Sequence, residues 1–354
     1  MVRGKRADLL AVFLAIFLIF WLIWFVGFSD VIKAVKEAGL RYVIIALFLS
    51  VLSLIVKGVR FHYLLKFRHN CSFNDFMPVF LFGYALSIAF PLKSGEIARI
   101  ELKRRILGAN AGNVTAALIV FRVFDIITIF FLTSLAFFIV IPRLPNTEGA
   151  LLMIGYWAAL LLVLGLLIVA VVVTFWEKAG RIIIDRILTF VAKFGKLGAN
   201  LSLFIREEID NYYLSVRRYK ELKTPFFIAL ILTALRWGLE ILMLQVILLA
   251  LGAEISFITA AFAIGVSIFI GIMTALPGGM GTGTISGVVV LIRMGRVNEV
   301  TATAGMLLAA VFGPILAVLA GIAGLGIMRA KKHEMKTTQN NNNREKEEEG
   351  KGGK

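Results

Sequence analysis

Charged residues inside long apolar runs are where this sequence can do chemistry. Arg122 and Asp125 lie three residues apart within Val114–Ile141, and Arg236 and Glu240 lie four apart within Pro225–Leu251. On a helix either spacing puts both side chains on one face. A lone charge near mid-bilayer costs at least ~2.5–3.5 kcal/mol, so these residues should face the bundle interior and find partners. Each pair reads either as a structural ion pair or as part of a polar site, and Arg236/Glu240, nearer the end of its run, fits the structural reading better. Lys57 and Arg60 close the run Tyr42–Leu65 and either join a site or snorkel to the interface.

Two proline–glycine breaks supply the other candidates. The first reads Pro91-Leu-Lys-Ser-Gly-Glu-Ile-Ala-Arg99. A helix starting near Ser94–Gly95 would aim its free N–H groups at the break, where a phosphate can sit. Glu96 and Arg99 are one turn apart and can pair. The plainer alternative is a helix cap with a solvated charge pair. The second break reads Pro277-Gly-Gly-Met-Gly-Thr-Gly-Thr284. No Gly-Lys-Ser/Thr follows, so it is not a nucleotide loop. Its glycines let backbone N–H groups converge, and Thr282, Thr284 and Ser286 add hydroxyl donors. The alternative is a flexible glycine turn.

The elements that must position these residues are membrane helices. A span needs about 20 apolar residues. Leu9–Phe28, Tyr42–Leu65, Val114–Ile141, Ala150–Phe175, Pro225–Leu251 and Thr301–Met328 supply six. No small-residue cleavage signal follows the first, which is read as a retained span. Phe76–Phe90 is short, and Phe257–Leu276 runs straight into the second glycine break. Such backbone is tolerated at membrane depth only where protein or water surrounds it.

Charge orients the spans. With the N-terminus inside and both odd stretches re-entrant, thirty of the 38 Lys and Arg fall on the cytoplasmic side. They are Arg3, Lys5 and Arg6 and those within Lys57–Arg68, Lys93–Arg105, Lys178–Lys223 and Arg329–Lys354. A full crossing at Phe76–Phe90 would move the Lys93–Arg105 group outside, against the positive-inside bias. The expected fold is therefore an all-α polytopic membrane protein with six full transmembrane helices, two re-entrant helical hairpins and both termini cytoplasmic.

Residues 42–141 then read span, hairpin, span, and residues 225–328 repeat the order with opposite orientation. Inverted repeats with broken helices are a common transporter plan, with the site where the breaks meet. Between them, residues 176–224 carry apolar residues at helical spacing (Ile183, Ile187, Val191, Phe194, Leu197, Leu201) among Lys and Arg, as in amphipathic helices on a membrane surface. One transmembrane domain is expected over 1–328. The polar tail 329–354, with its Asn340–Asn343 and Glu347–Glu349 runs, is expected to be disordered.

Composition closes off other classes. The chain has 354 residues, 59% hydrophobic and 17% charged, unlike a water-soluble enzyme of this size. One cysteine excludes a disulfide framework, and three scattered histidines argue against a metal cluster. The net charge of +16 fits basic membrane loops and anionic lipid better than nucleic acid. No cofactor is implied.

These pieces together resemble the flippase-like lysylphosphatidylglycerol synthase transmembrane domain family, also called UPF0104. The resemblance rests on Arg60-Phe61 at the end of an early span, Gly95-Glu96 and Arg99 after a proline, Arg122 and Asp125 in the next span, and Pro277–Gly281. Relatives often carry a glutamate where this chain has Thr284. The resemblance implies movement of polar lipids between leaflets. Candidate head-group residues are Arg60, Lys93, Gly95, Glu96, Arg99, Arg122, Asp125, Pro277, Gly278, Gly279, Gly281, Thr282 and Thr284. The expected function is a flippase or scramblase for an anionic modified phospholipid or polyprenyl-phosphate lipid. The alternative is an ion-coupled transporter of a small organic anion. An enzyme ranks lowest, because the sequence offers no catalytic domain, metal constellation or nucleophile–base pair.

Overall fold

The computed structural model describes residues 39–66, 70–89, 95–140, 157, 161, 164–165, 167–193, 195–221, 223–273 and 282–351. All regular structure among them is helical. We number ten helices: α1 Leu40–Lys66, α2 Phe73–Ala89, α3 Gly95–Leu107, α4 Ala111–Val140, α5 Glu177–Val191, α6 Gly195–Glu221, α7 Lys223–Ala250, α8 Phe257–Met273, α9 Thr282–Arg293 and α10 Glu299–Lys351. Residues 167–175 are also helical.

Four helices are long and apolar enough to cross a membrane: Arg41–Lys66, Ala111–Ile139, Phe226–Ala250 and Glu299–Ala330. At ~1.5 Å per residue each exceeds the ~30 Å hydrocarbon thickness. They match four of the six expected spans. Leu9–Phe28 and most of Ala150–Phe175 lie outside the described residues. α2 and α8 have 17 residues each, or about 25 Å, which is short of a crossing. The tail differs from expectation: α10 continues to Lys351 through the segment read as disordered. That segment is rich in Lys and Glu, which sustain a helix once a long apolar span has nucleated it.

The two hundred-residue units share their local punctuation. Ser72 caps α2 and Ser256 caps α8, each hydroxyl accepting from a backbone N–H three residues on, Asp75 and Thr259, at 3.1 Å. Asn110 caps α4 by accepting from Gly112 N–H at 2.9 Å, and Asn298 caps α10 by accepting from Thr301 N–H at 2.8 Å. Two residues before each Asn the chain turns through positive φ, at Gly108 (66°) and Arg296 (54°). Glycine takes that conformation without strain, whereas arginine is an uncommon choice there.

Packing interleaves the units. α1 and α7 form the most extensive helix pair. They run antiparallel: Ser53 and Lys57 meet Glu240, while Arg60, further along α1, meets Thr233, earlier in α7. α8 returns along α4 of the other unit, with Phe262 against Phe137 and Phe269 against Phe130. Correspondingly α10 runs along α2, with Gly321 against Ala85 and Gly324 against Pro78. α8 and α9 fold back on each other, Gly287 lying beside Ala263 and Gly283 beside Ser267.

Close approach fixes one of these contacts. Gly265 of α8 sits against the Thr133 side chain of α4, in space a Cβ would share with that threonine. Gly265→Ala should therefore overpack the joint and destabilise the protein by about 1–3 kcal/mol. Thermal unfolding in detergent would show it as a lowered midpoint. An unchanged midpoint would mean α8 can shift freely along α4.

Candidate functional site

The polar centre forms where α1, α2, α4 and α7 meet. Arg60 of α1 is completely buried and grips Asp125 of α4 with both ends of its fork, Nη1 to Oδ1 at 2.9 Å and Nη2 to Oδ2 at 3.1 Å. Its Nη1 also donates to the Thr233 hydroxyl of α7, which donates in turn to its own backbone at Ala229. The guanidinium plane lies 3.5 Å from the Phe121 ring centre. Arginine suits such a position because its planar cation combines bidentate bonding with stacking.

Arg236 of α7 links two carboxylates. Its Nη1 donates to Asp125 Oδ1 at 3.2 Å, and its Nη2 donates to both Glu240 oxygens at 3.0 Å. Glu240 also accepts from Ser53 at 3.1 Å and pairs with Lys57 at 2.7 Å. Lys57 in turn donates to the Tyr84 hydroxyl of α2 at 3.3 Å. One chain of polar contacts thus ties the short helix α2 to three long helices.

The balance of this network is positive. Lys57, Arg60 and Arg236 face two carboxylates, Asp125 and Glu240, leaving one net positive charge among these five. Buried donors also remain: Arg60 Nε, Arg236 Nε and Trp237 Nε1 have no hydrogen-bond acceptor among the described residues. Leaving a buried donor unsatisfied costs about 1–3 kcal/mol. A surplus of cationic N–H groups is suited to an anionic oxygen.

Arg122 differs from these buried residues in its exposure. It is exposed, and it lies close enough to Asp125, Arg60 and Tyr84 to act on them electrostatically. The other exposed residues of α4, Phe131, Leu135 and Phe138, fall on the opposite face at about 100° per residue. Ile129 and Thr133, on the Arg122 side, are buried. Arg122 therefore opens onto the interior side of α4, one turn from the network, and not onto the apolar face.

These contacts correct several expectations. Asp125 was expected to hold Arg122, but its carboxylate is taken by Arg60 and Arg236, which approach from other helices with better geometry than an i, i+3 neighbour. Arg60 does not snorkel, because Asp125, Thr233 and Phe121 replace water around it. The Arg236/Glu240 pair forms as the spacing implies, with Lys57 added. Lys103 is fully buried, which the charge count did not anticipate, with its ammonium 3.3 Å from the Phe61 ring centre and further Phe76 and Phe80 rings at 5.5 and 5.6 Å. Cation–π attraction offsets part of its lost hydration.

The breaks are described only in part. Gly95, Glu96 and Arg99 fall in the first turns of α3, where the helix start was expected. Thr282 opens α9 and Thr284 is buried within it. Ser286 does not offer its hydroxyl to the break, since it donates to the Thr282 and Gly283 carbonyls. Lys93, Pro277, Gly278, Gly279 and Gly281 lie outside the described residues. Ser53, Thr233 and Tyr84 were not foreseen. Ser53 and Thr233 sit one turn before Lys57 and Arg236, and a hydroxyl at that spacing from an intramembrane charge is the signal that could have found them.

A family model for the lysylphosphatidylglycerol synthase TM region matches residues 9–321. The chain belongs to this family. Among curated relatives, UPF0104 membrane protein PH1989 of Pyrococcus horikoshii is 25% identical over 285 residues, covering 77% of this chain and 83% of the relative. A UPF0104 membrane protein of Methanothermobacter thermautotrophicus is 26% identical over 287 residues, covering 77% and 79%. UPF0104 membrane protein MJ1595 of Methanocaldococcus jannaschii is 21% identical over 265 residues, covering 73% and 76%. The long apolar helices and these relatives make the chain a multi-pass membrane protein of the lysylphosphatidylglycerol synthase TM family.

Proposed function

We propose that this protein moves an anionic lipid between leaflets of the cell membrane, as a flippase or scramblase for a modified phospholipid or a polyprenyl-phosphate lipid. It acts by transport and not by catalysis. The observation that carries the reading is the net-positive network with unfilled buried donors, beside an arginine exposed on the interior side of α4. A phosphate entering there would meet Arg122 first and find Arg60 and Arg236 behind it. Arginine is favoured for this role because its fork matches phosphate oxygens.

In the proposed topology, six helices cross fully, α2–α3 and α8–α9 dip in and return, and both termini are cytoplasmic. The antiparallel run of α1 and α7 supports it. With full crossings at α1, α4, the Ala150–Phe175 stretch and α7, antiparallel α1 and α7 require an even number of crossings by α2–α3, as a returning hairpin gives. The matched caps and exchanged packing of the two units support an inverted repeat, and broken helices at such a repeat are where transporters place their substrate.

The test is reconstitution into vesicles carrying a head-group-labelled phosphatidylglycerol, with entrapped inorganic phosphate in the same preparation. Lipid should become accessible to an external quencher faster than in protein-free vesicles, while phosphate is retained. Loss of phosphate without lipid movement would replace this reading with a small-anion transporter.

A further inference from the structure

A second membrane contact is built into the linker between the two units. The helix at 167–175 exposes Ile168 and Val169, and then Trp176 breaks it with φ −108° and ψ 86°. The chain turns there into α5. One side of α5 is fastened to the protein: Gly180 lies against the Val173 carbonyl and the Tyr213 hydroxyl, and Leu188 is buried. Tyr213 donates to that carbonyl at 3.0 Å, and Arg217 of α6 donates to Glu177 at 2.8 Å.

The neighbouring arc of α5 is apolar and largely exposed. Trp176 is 63% exposed, Ile187 55% and Phe190 62%, with half-buried Ile183 between them on the same stripe. The next arc holds the basic residues of the helix. It carries exposed Arg186 and Lys178 with exposed Ile182 between them, and exposed Lys193 follows just past the end of α5. Asp185, the acidic residue of that edge, is paired with Arg206 of α6. Three arcs in sequence, fastened, apolar and basic, are what a helix lying in a membrane interface presents to protein, acyl chains and head groups. The stripe starts at Trp176, directly after the exposed Ile168 and Val169 of the helix before it, so the occupant that fits both apolar surfaces is lipid.

We propose that α5 lies in the plane of the leaflet surface as a lipid-binding helix, with Trp176, Ile187 and Phe190 in the acyl boundary and Arg186 and Lys193 holding anionic head groups. This contact is separate from the polar centre and does not depend on transport.

The experiment uses the full chain with Cys71→Ser and a fluorophore on Ile187→Cys or, separately, Thr189→Cys, in bilayers of phosphatidylcholine mixed equally with phosphatidylglycerol. Phe190→Cys serves as a second reporter if Ile187→Cys does not fold. The stripe label should be quenched by brominated lipid and shielded from iodide, and the Thr189 label should show the reverse. Brominated phosphatidylglycerol should quench the stripe label more than brominated phosphatidylcholine. That preference should fall about fivefold for each of Arg186→Gln and Lys193→Gln, from the ~1 kcal/mol that a basic residue gains at an anionic leaflet. Equal iodide quenching at both positions, or a lipid preference unchanged in the double variant, would overturn the proposal. So would efficient cross-linking of Ile187→Cys between two chains, since a second copy would then cover the stripe.

Discussion

Asp125→Ala should destabilise the folded protein by about 3–5 kcal/mol, because it leaves buried cations without their shared acceptor. Arg60 loses both carboxylate bonds and keeps only the Thr233 hydroxyl, and Arg236 keeps Glu240 alone. Glu240→Gln is a milder change, since an amide still accepts from Arg236 and Ser53 while the ion pair with Lys57 is lost. The expected order of folded yield and thermal midpoint is wild type, Glu240→Gln, then Asp125→Ala. Replacing Arg60 by leucine together with Asp125→Ala should recover part of the loss, because a buried pair exchanged for apolar groups no longer strands a charge. If Asp125→Ala unfolds at the wild-type midpoint, the network does not hold the four helices together.

The four long helices were legible in hydropathy because lipid imposes one dominant demand, and Tyr42–Leu65 differs from α1 by one or two residues at each end. The charged residues of the centre were legible for the same reason, since each is an exception inside an apolar run. Their partners were not. Spacing along one helix pointed to Arg122 for Asp125, but the partner that formed, Arg60, is 65 residues away and arrives through the packing of α1 on α4. Tyr84 was hidden because an isolated hydroxyl in a membrane helix carries no cost that reveals it, whereas Ser53 could have been found from its spacing to Lys57. The burial of Lys103 was not legible because counting charges by loop cannot see a ring stack formed by Phe61, Phe76 and Phe80. The matched Ser and Asn caps were present in the sequence, and only the helix ends showed which residues they were.

Arg122 should separate structure from transport. Arg122→Gln leaves the Arg60–Asp125, Arg236–Asp125 and Arg236–Glu240 salt bridges in place, so the network that joins the helices should persist and transport can be compared per folded molecule. If Arg122 is the first cation to receive an anionic head group, the same change should slow lipid movement about ten- to a hundredfold, from the ~1.5–3 kcal/mol of a hydrogen bond to a charged group. Arg122→Lys keeps the charge and loses the planar fork, so it should restore only part of the rate. Raised salt should weaken wild-type transport less than that of Arg122→Lys, since bidentate contact depends less on long-range charge.

The decisive measurement is phosphatidylglycerol translocation per folded molecule, for wild type and Arg122→Gln reconstituted at equal density in the same vesicles. Wild type should expose inner-leaflet lipid well above the protein-free rate, and Arg122→Gln should fall about tenfold or more below wild type. Equal translocation by the two folded proteins would contradict an anionic head-group site at Arg122.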